Sequence, residues 1–80
     1  MREWLKNLRT EKGLTMKDMG QKLCISESYY CAIEKRERQK KMDIALASGI
    51  STIFGIPIAE VVALDEASDR WRSLRGEVEP

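Results

Sequence analysis

Residues 15–34, TMKDMGQKLCISESYYCAIE, have the pattern of two short helices joined by a tight turn. Thr15 is a good N-cap for the first helix, and Asp18, three residues later, can bond back to the Thr15 amide as in a capping box. Ser26 is a good N-cap for the second helix. Because few residues are left for the connection, we expect the two helices to cross at a steep angle, as in a helix-turn-helix.

The second helix of this pair has two unlike faces. At about 100° per residue, Tyr29, Tyr30 and Ile33 lie together on an apolar side. The other side carries mostly short side chains, namely those of Glu27, Ser28, Cys31, Ala32 and Lys35. Short side chains let the helix backbone approach another surface closely. This favours a docking face over a merely solvated one, and in a helix-turn-helix the second helix is offered to a DNA groove.

The longer segment GLTMKDMGQKLCISESYYCAIEKRER, residues 13–38, resembles the helix-turn-helix of the lambda-repressor and Cro-like (Xre-type) DNA-binding domains of phages and bacteria. The resemblance covers about Leu5 to Leu64. It implies an all-α fold for residues 1–64, a compact five-helix lambda-repressor-like bundle with a helix-turn-helix. Residues 65–80 lie beyond the resemblance and are predicted to form a short C-terminal helical extension or tail.

Caps and apolar spacing place the other helices of the bundle. A first helix is predicted over about residues 2–12, with Gly13 as its left-handed C-cap. Asp43 can cap a fourth helix that ends at Phe54. Pro57 suits the first position of a fifth helix, where its missing amide costs nothing.

The fifth helix and the residues after it have apolar positions that suit more than one role. Ile58, Val61 and Val62 are predicted to form the inward stripe of the fifth helix. Ser68 can cap a short sixth helix, whose Trp71 packs on its own domain, contacts a second copy or belongs to a loose tail. In some members of the resembled family the fifth helix lies at the dimer contact. The candidates for such a contact here are Val62, Leu64, Trp71 and Leu74.

Length and composition exclude several classes of protein. A chain of 80 residues with 42% hydrophobic and 34% charged residues is typical of one small globular domain. Its apolar runs are far shorter than the roughly 18 residues of a membrane span, and the N-terminal MREWLKNLR lacks the core of a signal peptide. We therefore expect a cytoplasmic protein with no membrane partner.

The sequence has no His and two Cys, Cys24 and Cys31. These are too few ligands for zinc, and no nucleophile can be matched with a base and an orienting group. We therefore expect no metal, no cofactor and no enzyme activity. The two thiols are interpreted as ordinary turn and helix-face residues; a redox switch at Cys31 is the less favoured alternative.

The net charge of +1 is small, but the charges are unevenly distributed. Residues 1–22 hold six basic and three acidic groups, and residues 35–41 hold five and one. Residues 60–80 hold three basic and six acidic groups. Basic charge is therefore concentrated around the helix-turn-helix, which favours a nucleic-acid partner.

The segment KRERQKK, residues 35–41, is here called the basic loop. It is either an exposed charged loop or a loop that contacts DNA phosphates, which would make the affinity fall steeply with salt. The resembled family commonly has Gly where Arg36 stands, a Pro in this loop and a slightly shorter connection, so the loop conformation stays open. The phosphate-contact candidates from this segment are Lys35, Arg38, Lys40 and Lys41.

The predicted recognition helix, residues 27–35, supplies the base-reading candidates Glu27, Ser28, Cys31 and Ala32. A carboxylate accepts from cytosine, a hydroxyl bonds to several base edges, and small apolar groups contact thymine methyls. Glu27 is equally explained as an acid that favours the helix dipole. The other phosphate-contact candidates are Thr15, Met16 and Tyr29, and Met16 suits the core equally well.

In the resembled family, a basic residue of helix one pairs with an acid at the end of the recognition helix. The corresponding residues here are Arg9 and Glu34. Such a pair would hold the DNA-facing surface in shape without touching DNA. The alternative is that Arg9 is a solvated surface residue.

Two function classes remain at this stage. The favoured one is a sequence-specific DNA-binding transcriptional regulator, phage-type Cro/repressor-like, that binds a palindromic operator in double-stranded DNA as a homodimer. The alternative is an antitoxin or protein-binding adaptor that uses the same fold to bind a protein partner. Fold alone does not separate the two.

Overall fold

The computed structural model describes the backbone of residues 1–74 and the side chains of residues 1–68. Within that part of the chain, all regular structure is helical. The five helices are α1 (Glu3–Glu11), α2 (Met16–Leu23), α3 (Glu27–Glu34), α4 (Ile44–Phe54) and α5 (Ile58–Leu74). The predicted all-α five-helix bundle is confirmed.

The N-caps predicted for α2, α3 and α4 are confirmed. The Thr15 hydroxyl accepts a hydrogen bond from the Asp18 amide at 3.0 Å, and the Asp18 carboxylate accepts one from the Thr15 amide at 2.9 Å. The Ser26 hydroxyl accepts from the Tyr29 amide at 3.1 Å. Asp43 caps α4 through the Leu46 amide at 2.8 Å. These side chains satisfy amides that the first turn of a helix leaves without an intrahelical partner.

The helix-turn-helix requires a close approach between α2 and α3. A Cβ atom added to Gly20 would lie 2.9 Å from the Ile25 carbonyl oxygen, so only glycine fits without a backbone shift. Cys24 ends α2 in the left-handed conformation, with φ of 60°. A cysteine in that conformation stores strain that glycine would avoid.

The core lies where all five helices meet. Leu5, Met19, Tyr30, Ile33, Ala47, Ile50, Phe54 and Val61 are buried in it. Trp4, Leu8, Leu23, Leu46 and Ile53 are half-buried against this cluster. The apolar face predicted for α3 therefore points inward.

The predictions for α5 were wrong in two details. Val62 is 42% exposed, so the inward side of the helix carries Ile58, Val61 and Asp65 instead. Ser68 lies inside α5 and does not start a separate sixth helix. The stretch ALDEAS before it contains no Gly or Pro, so nothing local ends the helix there.

A smaller difference concerns the start of α5. The Pro57 carbonyl accepts from the amides of Glu60 and Val61, which makes Pro57 the residue before the first helical position. Among residues 1–74, no single helix has the length and apolarity of a membrane span; α4 and residues 58–68 meet that test only as a pair bent by 111°.

Candidate nucleic-acid interface

The outer face of α3 is open to solvent at its start. Glu27 and Ser28 are exposed, and Cys31 and Ala32 are half-buried one turn later. On the inner face Tyr30, Ile33 and Glu34 are fully buried. The base-reading candidates therefore share the accessible side of a helix whose other side is anchored in the core.

The structure brings Arg9 and Glu34 together, with Tyr30, in what we call the Arg9 cluster. The Arg9 Nε donates to the Glu34 carboxylate at 2.6 Å, and the Tyr30 hydroxyl donates to the same oxygen at 2.7 Å. Arg9 also donates to the Leu14 carbonyl at 3.0 Å. The cluster ties α1 to the end of α3.

The protonation states in the Arg9 cluster follow from its geometry. The hydrogen-bonded Glu34 carboxylate raises the pKa of the Arg9 guanidinium above its ordinary value. Burial, followed by the bond to Glu34, raises the pKa of the Tyr30 hydroxyl. Both shifts favour a neutral Tyr30 hydroxyl that can donate and a charged Arg9 guanidinium.

A shallow groove joins the outer face of α3 to the basic loop. Its lining consists of Ser26, Ser28, Tyr29, Ala32, Glu37 and Arg38. Two base-reading candidates, Ser28 and Ala32, thus lie beside the phosphate-contact candidates Tyr29 and Arg38. The remaining two base-reading candidates, Glu27 and Cys31, are on the same helix.

Four of the five cationic side chains in the basic loop are exposed, and one is buried. The side chains of Lys35, Arg38, Lys40 and Lys41 are exposed, as a phosphate contact requires. Arg36 is 7% exposed and donates to the Asp65 carboxylate at 3.2 Å. Its backbone φ of 64° is the left-handed conformation for which the family commonly has Gly.

Gln39 links the basic loop to α3 and α4. Its side-chain amide donates to the Tyr29 hydroxyl at 3.0 Å and to Asp43 at 3.2 Å, and its side-chain oxygen accepts from the Asp43 amide. Because this bond uses the Tyr29 oxygen as acceptor, the hydroxyl hydrogen can be donated to a phosphate. Sequence reasoning missed Gln39.

Sequence reasoning also missed the buried group of Arg2, Trp4, Arg36 and Asp65, which we call the Arg2 cluster. Arg2 is 0% exposed, and its Nε donates to Asp65 at 2.7 Å. The Trp4 indole donates to the same carboxylate oxygen at 3.2 Å. One signal was present in the sequence: Asp65 follows Ile58 and Val61 at helical spacing, on the buried stripe of α5.

Thr15 and Met16 lie at the N-terminal end of α2, the first helix of the helix-turn-helix. Thr15 is exposed, and its amide and hydroxyl form the capping box with Asp18. Met16 is half-buried and packs against the core, so its side chain follows the second of its two predicted alternatives.

The dimer candidates lie along α5. Val62 is exposed and Leu64 is half-buried. Trp71 and Leu74 fall on the last turns of the helix backbone, and their side chains lie outside the described residues.

Comparison with protein families agrees with this geometry. Residues 5–61, well over half of the chain, match the family model described as helix-turn-helix, the lambda-repressor/Cro-like (Xre-type) group. The chain belongs to this family. No curated protein and no solved structure is similar enough to the chain to count as a relative.

Membership of the lambda-repressor/Cro-like family supports a DNA-binding helix-turn-helix regulator. The match includes both helices of the motif, the Arg9 cluster and the whole basic loop. It does not extend to Arg2, Trp4 or Asp65, so the Arg2 cluster joins two residues before the matched segment to one after it.

Proposed function

We propose that the protein is a sequence-specific transcriptional regulator, phage-type Cro/repressor-like, that binds a palindromic operator as a dimer with α3 in the major groove. The observation that carries this proposal is the groove in which Ser28 and Ala32 lie beside Arg38. It brings small groups at base-reading positions together with an exposed cation of the basic loop. Ser28 and Ala32 lie on the second helix of the helix-turn-helix, and Arg38 lies in the loop that follows it, within the segment that matches the family.

The proposed base contacts come from the exposed start of α3. Ser28 bonds to a base edge, and Glu27 accepts from a cytosine amino group. Cys31 and Ala32 contact thymine methyls. Because these groups are few and short, most of the binding free energy comes from the phosphate backbone.

The proposed phosphate contacts surround that face. Lys35, Arg38, Lys40 and Lys41 are exposed on the basic loop, and Tyr29 adds a hydroxyl donor. The other proposed phosphate contact is the start of α2, at Thr15 and Met16. Backbone amides at a helix N-terminus attract anions such as a phosphate. Each phosphate neutralised releases counterions, so we expect binding to weaken steeply with salt.

The proposed dimer uses α5. Val62 and Leu64, with Trp71 and Leu74 further along the helix, form the contact that doubles the DNA-reading surface. Two copies of α3 would then enter successive major grooves about 34 Å apart. A regulator of this kind acts in the compartment that holds its DNA, which in a bacterial cell is the cytoplasm.

The second candidate is an antitoxin or protein-binding adaptor. The observation in its favour is apolar exposure outside the DNA-facing groove, with Ile44 77% exposed at the start of α4 and Val62 42% exposed on α5. Met16, which points into the core, also removes one side chain from the proposed DNA contacts.

Selection from a random-sequence duplex library, followed by sequencing at two salt concentrations, tests the proposal. We expect an enriched palindrome whose half-sites lie about one helical turn apart. Salt-sensitive binding without an enriched motif would show that the basic surface binds DNA without sequence specificity. Absence of binding at both salt concentrations would favour the protein-partner candidate.

A further inference from the structure

We infer that Arg2, held by Asp65, is a positioning residue that fixes the backbone of the basic loop so that its lysines meet DNA phosphates. This inference rests on the proposed DNA-binding function. It concerns residues that contact no DNA themselves, because the Arg2 side chain is fully buried and Asp65 is 6% exposed.

Arg2 places its donors on three consecutive carbonyls of the basic loop, those of residues 38–40, and on one carbonyl of α3. One terminal nitrogen donates to the Ile33 carbonyl at 2.6 Å and to the Arg38 carbonyl at 3.4 Å. The other donates to the carbonyls of Gln39 and Lys40. A guanidinium has five donors in a rigid planar fork, so these bonds specify where the loop backbone lies.

The same guanidinium is anchored from the opposite side. Its Nε donates to the Asp65 carboxylate at 2.7 Å, and Asp65 is held in turn by Trp4 and Arg36. The Arg2 backbone amide donates to the Glu34 carbonyl at 2.7 Å. Arg2 therefore connects the start of α1, the end of α3, the basic loop and α5.

The basic loop needs such an anchor because its own conformation is unfavourable. Arg36 and Gln39 both have positive φ, at 64° and 54°, without being glycines. Non-glycine residues persist in this conformation only when surrounding structure holds them there. Released from Arg2, the loop would leave this geometry and carry Lys40 and Lys41 with it.

The test uses the same substitution at two buried arginines. Arg2→Lys keeps the charge and the aliphatic stem but replaces the planar fork with a single ammonium. Arg9→Lys is the matched control, since Arg9 is also buried and paired but donates to Glu34 and the Leu14 carbonyl instead of the basic loop.

The first readout is amide hydrogen exchange in the absence of DNA, under conditions in which circular dichroism shows each variant to be folded. The Glu37 and Arg38 amides donate to the Ala32 carbonyl at 2.9 and 3.3 Å. We expect their exchange to rise at least about tenfold more in Arg2→Lys than in Arg9→Lys. An equal change in the two variants would overturn the inference.

The second readout is the salt dependence of binding to the selected operator. Loss of the Lys40 and Lys41 contacts should reduce the slope of log K against log salt by about two in Arg2→Lys. The variant should still prefer the operator over a copy that is altered at the base pairs proposed to contact α3. A purely structural role would lower the folded fraction and leave both slope and preference unchanged, which would contradict the inference.

Failure of the inference and failure of the proposed function give different results. If the wild-type protein binds no DNA, the proposed function fails while the exchange experiment still decides whether Arg2 positions the loop. Should Arg2→Lys not fold, Asp65→Asn serves in its place, because it keeps the shape of the side chain and removes the charge that anchors Arg2. The expected and contradicting results are the same for that variant.

Discussion

The helix-turn-helix of residues 15–34 and the basic loop of residues 35–41 face the same proposed ligand but are held by different interactions. The helices carry their own caps and an apolar face, and one buried pair, Arg9 and Glu34, ties α3 to α1. The basic loop has no helix cap or apolar face of its own; its local links are backbone bonds to Ala32 and side-chain bonds between Gln39 and Asp43. It depends on Arg2 and Asp65, which are 63 residues apart in the sequence. An element encoded by neighbours is predictable from sequence, whereas one held by a distant ion pair is not.

Glu34→Ala should have the largest effect, because it breaks the helix-turn-helix side of this comparison. It leaves the Arg9 cation and the Tyr30 hydroxyl buried without their carboxylate, at a cost of about 3–5 kcal/mol in the free energy of unfolding. Thermal unfolding measures the change. Glu37→Ala, at an exposed position of the basic loop, is the control. A melting temperature equal to that of the wild type would show that the Arg9 cluster does not stabilise the fold.

Asp65→Asn weakens the anchor of the basic loop. It should lower the free energy of unfolding by less than Glu34→Ala does, about 2 kcal/mol. Asparagine keeps an oxygen acceptor for Trp4, so part of the Arg2 cluster survives although the charge that anchors Arg2 is lost. Urea unfolding gives the stability change. The comparison would fail if this variant were destabilised more than Glu34→Ala.

Lys40→Ala and Lys41→Ala sharpen the comparison by isolating the loop's contribution to binding. Each should weaken binding to all DNA sequences alike and lower the salt slope by about one, because each removes one phosphate contact. Fluorescence anisotropy over a range of salt concentrations measures both. Lys12→Ala, on the exposed end of α1, is a charge-matched control. A slope unchanged from the wild type would remove the loop from the interface.

Ser28→Ala isolates the contribution of α3. It should leave the salt slope unchanged and relax discrimination at one base pair by about 1 kcal/mol, the lower end of a good base contact. Repeating the library selection with this variant is the measurement. If Ser28→Ala and Lys40→Ala changed binding in the same way, the division between a sequence-reading helix and a phosphate-contacting loop would be wrong.

The smallest effect should come from acid acting on the capping box. Hydrogen bonds from Thr15, chiefly its backbone amide, hold the pKa of the Asp18 carboxyl below its ordinary value of 3.8. The contribution of Asp18 is therefore present above about pH 5 and is lost as pH falls through the lowered pKa. The stability difference between wild type and Asp18→Asn should shrink as the pH drops below that range in urea titrations. A constant difference would argue against the capping box.

Most of the helical framework was predictable because its signals are local. Thr15, Ser26 and Asp43 cap helices within three residues of themselves, and Gly13 and Gly55 end helices through their own left-handed φ. The positions of α2 to α4 follow from these caps and from helical spacing, whereas the five-helix bundle was implied by the family resemblance. The Arg9 and Glu34 pair came from the family resemblance, not from any local pattern.

The predictions that were wrong or missing concern residues whose burial depends on partners far away in the sequence. Val62 was placed inside because it is apolar, but Asp65 takes the buried stripe of α5, since its charge is neutralised there by Arg2 and Arg36. The burial of Arg2 was missed because charged residues are almost never fully buried unless they are paired, and nothing near Arg2 in the sequence indicates its partner.

By itself, the sequence determined the helices, their caps, the crossing of α2 and α3 and the family to which the chain belongs. The helices and their caps depend on neighbours a few residues apart, and the family follows from a pattern spread over residues 5–61. Only the tertiary structure decided how the basic loop is shaped, which of its cations face solvent and which residues hold it. Those outcomes depend on hydrogen bonds between Arg2, the loop carbonyls and Asp65, and such bonds exist only after α1, α3 and α5 have packed together.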